Sequence, residues 1–340
     1  MCSSDLDHMS AAHRIFGSEL SPYSVKVRSY FRYKNLPHEW LLRSPANQGE
    51  FQKYAKLPLV PLVVTPEGEG VQDSTPILER FEKAHPEPSI VPADPALAFI
   101  SALLEEYGDE WGNKWMFHYR WSYQPDVWST AERIGVQMMG TQGPLAVAQA
   151  RQAVAERMTA RIGFVGSNEK TRPVIEASFK RALALLDGHL ASRPYLLGGR
   201  PAMADFGLWG QLYEAATDPT PGAIMRASAP NVMAWVQRML APKDAGPFER
   251  FEILSASLMP LLTDEVGAFF LPWSAANAAA ISGDSKTFDV TLAGNAWSQE
   301  PQKYHARSLA EIRRKYHLVR GNASLDDVLS RSGCLRWLAS

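Results

Sequence analysis

Two places in this sequence put a hydroxyl at the mouth of an expected helix. Ser21-Pro22-Tyr23-Ser24 follows the apolar, strand-like run His13-Arg14-Ile15-Phe16-Gly17. A hydroxyl donor there stabilises an anion, because the first N–H groups of a helix have no internal partner and the helix dipole is positive at that end. Pro22 suits the first turn, where its missing N–H would have gone unused. Ser21 is equally suited to act only as the N-cap. Gln72-Asp73-Ser74-Thr75 opens a second helix, expected over 75–83. The Ser74 hydroxyl and free N–H groups make a carboxylate site, and Asp73 beside them can meet an ammonium. Two capping residues is the plainer alternative. Between these stretches, Val60-Pro61 precedes the apolar strand Leu62-Val63-Val64. Taken alone, the pair reads as the trans edge of a strand.

A third concentration of chemistry is aromatic. Residues 107–128 hold Trp111, Trp115, Phe117, Tyr119, Trp121, Tyr123 and Trp128, with His118 and Arg120 among them. Trp111 and Trp115 are four apart and share a helical face. Any single ring is more often interhelical core than pocket wall, and a lone His is more often structural than a general acid or base. Cys2 and Cys334 are the two cysteines, and they match no metal or disulfide pattern.

The elements that must position these groups are strand–helix–strand–helix, then strand–hairpin–strand–helix. The hairpin spans 63–72 and turns at Pro66-Glu67-Gly68-Glu69-Gly70. A proline-dense linker, 85–92, places a boundary near Pro92. Over 93–242 helical periodicity dominates: Ile175, Phe179, Leu183, Leu186 and Leu190 form one apolar stripe. Residues 243–340 follow as an extension expected to pack on the core. There, 263–281 is expected helical and broken near Pro272, and 287–292 alternates as a strand. Further helices are expected over 308–316 and 325–329, the latter started by Ser324.

With 340 residues and 46% apolar composition, the chain is long enough for two domains with a sizeable core. A net charge of −1 and a pI near 6.7 argue against nucleic acid or an acidic membrane as the main partner. No run approaches the length of a membrane span. Residues 1–8 read as a non-native leader ahead of a start at Met9. The start lacks the basic and apolar regions of a signal peptide, so a cytoplasmic location is expected.

In order and spacing, these motifs resemble the glutathione S-transferase superfamily. The fold class implied is an α/β thioredoxin-like N-terminal domain over 9–92, an all-α C-terminal domain over 93–242 and an α+β extension over 243–340. Where redox thioredoxin-like proteins carry Cys-x-x-Cys, this chain has Ser21 and Ser24, which excludes dithiol chemistry. The resemblance implies that Ser21 hydrogen-bonds the glutathione sulfur and favours its thiolate, the nucleophilic form. It implies a cis Pro61, with Val60 pairing its backbone to the cysteinyl part of glutathione. Asp73 and Ser74 would take the γ-glutamyl end, although the family usually has Glu or Gln where Asp73 stands. Asn47 or Lys56 is a candidate for the glycyl carboxylate. Tyr23, Trp111, Trp115 and His118 are candidates for the second-substrate pocket, since the first long helix of the C-domain walls the cleft in this family.

The run Arg193-Pro194-Tyr195-Leu196-Leu197-Gly198-Gly199-Arg200-Pro201-Ala202-Met203-Ala204-Asp205-Phe206 resembles the family's C-domain signature, with Ala202 where Ser or Thr is usual. The missing hydroxyl leaves the capping box incomplete. The function implied is a glutathione-dependent transferase or lyase acting on a small hydrophobic or aromatic electrophile, with no metal and as a homodimer. The alternative is a non-catalytic scaffold of the same fold, because fold does not fix function.

Overall fold

Residues 12–339 are described by the computed structural model, and they divide into two units between Pro88 and Ser89. The leader at 1–8, with Cys2, lies outside the described residues.

The first unit runs β1 (His13–Gly17), α1 (Pro22–Tyr33), β2 (His38–Leu42), a 3₁₀ turn leading into α2 (Gln48–Tyr54), β3 (Leu62–Val64), β4 (Gly70–Gln72) and α3 (Ser74–Ala84). The sheet order is β2-β1-β3-β4, with β2 parallel to β1 and the other pairs antiparallel. This is the expected thioredoxin-like order. Phe16, Leu62 and Val64 pack with Phe51 of α2. Helices α1 and α3 meet through Phe31 and Phe81, whose ring centroids lie 4.8 Å apart. Removing these apolar surfaces from water is the main force holding the layers together.

The second unit begins with α4 (Pro95–Glu106), which passes through a π-helical stretch, Tyr107–Gly112, into α5 (Asn113–Ser122). Then come α6 (Gln124–Met139), α7 (Pro144–Thr159), α8 (Arg172–Leu190), α9 (Met203–Thr217), α10 (Pro219–Ser228) and α11 (Pro230–Arg238). The stripe from Ile175 to Leu190 is buried along α8, as its spacing requires. At the start of α9, Asp205 supplies its own half of the capping box, and the half that needs a hydroxyl at Ala202 is missing. The Asp205 carboxylate accepts from the backbone N–H of Ala202 (2.8 Å) and Leu196 (2.9 Å) and from the Trp235 indole (2.9 Å). Burial pushes this carboxyl up to about 6 against those bonds.

Residues 243–340 belong to this same unit. They form α12 (Phe251–Leu261), a π-helical stretch (Leu262–Phe270), α13 (Leu271–Ser282), the hairpin β5 (Phe288–Leu292) and β6 (Asn295–Gln299), then α14 (Lys303–Val319), α15 (Ala323–Arg331) and α16 (Leu335–Leu338). The structure departs from two expectations here and adds one element to a strand that was expected. Pro272 does not break the helix, because the wider π turn before it accommodates the missing donor and the ring. The strand has an unforeseen partner, β6, across a two-residue turn in which Ala293 and Gly294 have φ of 46° and 82°. Helix α15 is capped by Asn322, which accepts from Leu325 N–H, and not by Ser324.

Membrane length also needs correcting. Phe251–Ser282 forms a 32-residue helix long and apolar enough to cross a membrane by length and composition, with half of its most apolar window buried in the protein. Asp264 and Glu265 interrupt the run and conceal it in the sequence.

One of the polar clusters that tie the extension to the helical core centres on Gln299. Gln299 Oε1 accepts from Lys114 Nζ (3.3 Å) and from the indoles of Trp273 (3.0 Å) and Trp297 (3.2 Å), while its Nε2 donates to Phe164 O (2.9 Å). Lys114 also donates to Val165 O and lies 3.7 Å from the Trp273 ring centroid. Burial holds this ammonium well below the usual lysine range.

Candidate functional site

The register of the first unit collects the expected glutathione residues at one end of the sheet. Phe16 pairs with Leu62, and Leu62 pairs with Gln72. The end of β1, the start of β3 and the end of β4 therefore lie side by side. Ser21 follows β1, Val60-Pro61 precedes β3, and Asp73-Ser74 follows β4. Helices α1 and α3 both begin at this end, so two sets of free N–H groups and two positive dipole ends face the same region. Lys26 of α1 ties the two starts together, its Nζ reaching Thr75 Oγ1 at 3.2 Å.

Each group has a local reason for its position. Ser21 has extended backbone angles, and its Oγ accepts from Ser24 N–H at 3.3 Å. Capping thus uses the oxygen as an acceptor, while a hydroxyl can also donate one bond. The turn before it is held by Glu19, which takes both Arg28 nitrogens (2.6 and 2.9 Å) and the Trp40 indole (2.7 Å). Burial pushes the Glu19 carboxyl up, but the hydrogen bonds and charge of Arg28 and the Trp40 bond hold it below the usual range. Gly17 is required beneath this cluster, since a Cβ there would stand 2.3 Å from the Trp40 ring.

The Val60–Pro61 bond is cis, as expected. Val60 precedes the ladder, whose pairing starts at Leu62. Asp73 is exposed with φ of 76°, a region few non-glycine residues enter, and Ser74 behind it is buried. Of the glycyl-end candidates, Asn47 is largely committed to its own turn, donating to Leu42 O and accepting from Ser44 N–H. Lys56 is exposed. Sequence reasoning missed Glu19, Arg28, Trp40, Lys26 and Gln72, all of which act by tertiary hydrogen bonding that no local pattern announces.

The aromatic helix is placed differently from expectation. Tyr23, in α1, is half-buried. Trp111 and Trp115 are buried in the second unit, and both indoles donate to Ser178 Oγ, at 2.9 and 3.0 Å. Ser178 in turn donates to Glu265 Oε2 (2.7 Å), which also accepts from Tyr107 OH (3.0 Å), while Arg181 pairs with Oε1 at 2.6 Å. Burial pushes the Glu265 carboxyl up to about 7, with Arg181 and the hydrogen bonds opposing it. The two indoles do share a face, as their spacing requires, but that face is interior. With no exposed surface, they serve as core and not as the wall of an open pocket.

His118 is equally enclosed. Its Nδ1 meets Ser167 Oγ at 2.8 Å and its Nε2 meets Glu176 Oε1 at 3.1 Å. The order Ser–His–Glu has the look of a nucleophile relay. Ser167 is 3% exposed, however, and its N–H and that of Asn168 are spent within the loop on Ile162 O and Thr171 Oγ1. Burial lowers the imidazole below its usual range although Glu176 pulls the other way. A groove of about 820 Å³ lies nearby, lined by Asn168, Lys170, Asp289, Thr291 and Trp297, and holds none of the expected site residues. Among the described residues no cluster of three or more His, Cys, Asp or Glu is placed to hold a metal ion.

Comparison with known families decides the class. Residues 15–89 match the model of the glutathione S-transferase N-terminal domain, and residues 148–238 match that of the glutathione S-transferase C-terminal domain. The chain belongs to the glutathione S-transferase superfamily.

Solved structures similar to this superfamily member include a glutathione S-transferase from Methylobacterium radiotolerans in complex with glutathione sulfonate. It is 21% identical with a TM-score of 0.39, covering 71% of this chain and 97% of that one. The β-etherase LigF from Sphingobium sp. strain SYK-6 is 19% identical with a TM-score of 0.43, covering 68% and 96%. A glutathione S-transferase from Rhodospirillum rubrum F11 is 16% identical with a TM-score of 0.44, covering 87% and 99%. No curated protein matches by sequence. Membership of this glutathione S-transferase superfamily makes a glutathione-using transferase the general functional class.

Proposed function

We propose that this protein binds glutathione at the shared end of the first sheet and activates its thiol for attack on a small hydrophobic or aromatic electrophile. The observation that carries this reading is the convergence of two helix starts, each opened by a serine, on either side of the cis Val60–Pro61 segment. Ser21 donates to the sulfur and, with the start of α1, favours thiolate over thiol. Val60 offers backbone groups ahead of the ladder for strand-like pairing. Asp73 and Ser74, at the start of α3, receive the ammonium and carboxylate of the γ-glutamyl end. Catalysis is then positioning plus an activated nucleophile. Family membership also supports a homodimer, which light scattering would test.

Calorimetric titration with glutathione, on the parent and on Ser21→Ala, tests the reading. Both should bind, and only the parent should show the ultraviolet absorbance of bound thiolate at neutral pH. Turnover of an electrophile by the variant should fall by roughly tenfold to a hundredfold as the thiol returns towards its free pKa. Absence of binding at millimolar glutathione would sink the proposal and leave the scaffold.

A further inference from the structure

We propose that Gln72 is a positioning residue that holds the 56–59 loop, and through it Val60–Pro61, in the geometry that receives glutathione. The inference rests on the glutathione reading above and concerns how that site is kept in shape.

The loop has little of its own to hold it. Leu57 and Leu59 are 56% and 62% exposed, so burial of their side chains does not order the backbone. Hydrogen bonds from one amide do. Gln72 Oε1 accepts from Lys56 N–H (2.7 Å) and Leu57 N–H (2.9 Å). Its Nε2 donates to Leu57 O (2.9 Å) and Leu59 O (2.8 Å). Two lone pairs and two N–H groups are all that a glutamine amide has, and each is used. Arg43 adds one bond, from Nη1 to Pro58 O at 2.7 Å.

The position of Gln72 gives these bonds their meaning. It is the last residue of β4, paired with Leu62, and the next residues are Asp73 and Ser74. One side chain therefore links the backbone that leads into Val60 to the strand that delivers the γ-glutamyl corner. A glutamate at this position would keep both acceptors and lose both donors, setting a carboxylate against the carbonyls of Leu57 and Leu59. Protonation would restore one donor. This gives the role a pH signature that simple loss of stability lacks.

The test compares the parent, Gln72→Ala and Gln72→Glu by glutathione calorimetry and by hydrogen exchange at the Lys56 and Leu57 amides. Gln72→Ala should weaken binding by about tenfold and speed exchange at both amides. The thiolate absorbance should persist at saturating glutathione, because Ser21 is untouched. Gln72→Glu should bind as weakly as the alanine variant at about pH 7.5 and recover towards the parent, measured at the same pH, as pH falls to about 4 and the carboxyl takes up a proton. Circular dichroism on Gln72→Glu across that range keeps unfolding separate from repositioning. Parent-like affinity and exchange in Gln72→Ala, or a glutamate variant whose pH profile parallels the alanine one, would overturn the role. A parent that does not bind glutathione at all would instead bring down the proposed function, and this role with it.

Discussion

The sheet end of the first unit and the aromatic helix of the second are both rich in groups that could do chemistry, and the structure uses them in opposite ways. At the sheet end, Ser21 and Val60 are half-buried and Asp73 is exposed, and they are held by neighbours such as Glu19, Lys26 and Gln72. In the aromatic helix, Trp111, Trp115 and His118 are enclosed, with their polar atoms bonded to Ser178, Ser167 and Glu176. Residue type alone favours the second region as the reactive one. Accessibility and the direction of the free backbone groups favour the first.

Truncating the aromatic core should have the largest effect on this contrast. Trp111→Ala removes a fully buried ring and one donor to Ser178, and should cost about 3–5 kcal/mol in denaturant unfolding. A variant with parent stability but no turnover would return that ring to a substrate pocket and break the comparison. A smaller effect is expected from acid. Burial, reinforced by Arg193 and opposed by the bond to Leu196 O, pushes His189 down to about 4. Its folded pKa lies below the unfolded value near 6.5, so the unfolded chain takes up the proton first as pH falls. Stability present above pH 6.5 should be lost on the way to about pH 4, on the order of 1–3 kcal/mol, and His189→Gln should flatten that slope. The smallest effect is at the α9 start. Ala202→Ser completes the box with Asp205 and should add about 1 kcal/mol in thermal unfolding. No gain there would mean that Asp205 already satisfies the end.

Local signals carried the order of elements in the first unit, because strand runs, helix starts and the proline before β3 are all written within a few residues. The apolar stripe of α8 was legible for the same reason. Partners far apart in the chain were not. Lys114 and Gln299, 185 positions apart, read separately as an ordinary lysine and an ordinary glutamine. The Ala293-Gly294 turn lacks the Asn-Gly or Asp-Gly pair that usually announces a two-residue hairpin, and so β6 went unseen. At the site, the structure shows the plainer of the two readings the sequence left open for Ser21, since its oxygen caps α1.

Glu265 has a consequence for biogenesis. It sits near the middle of the 32-residue helix Phe251–Ser282, which by length and composition could be taken for a membrane span as it leaves the ribosome. A charged residue at the centre of such a segment raises the apparent free energy of insertion by roughly 2.5–3.5 kcal/mol, and Asp264 beside it adds to that barrier. The carboxylate that gathers Tyr107, Ser178 and Arg181 in the folded protein thus also disfavours lipid as a destination for the nascent chain.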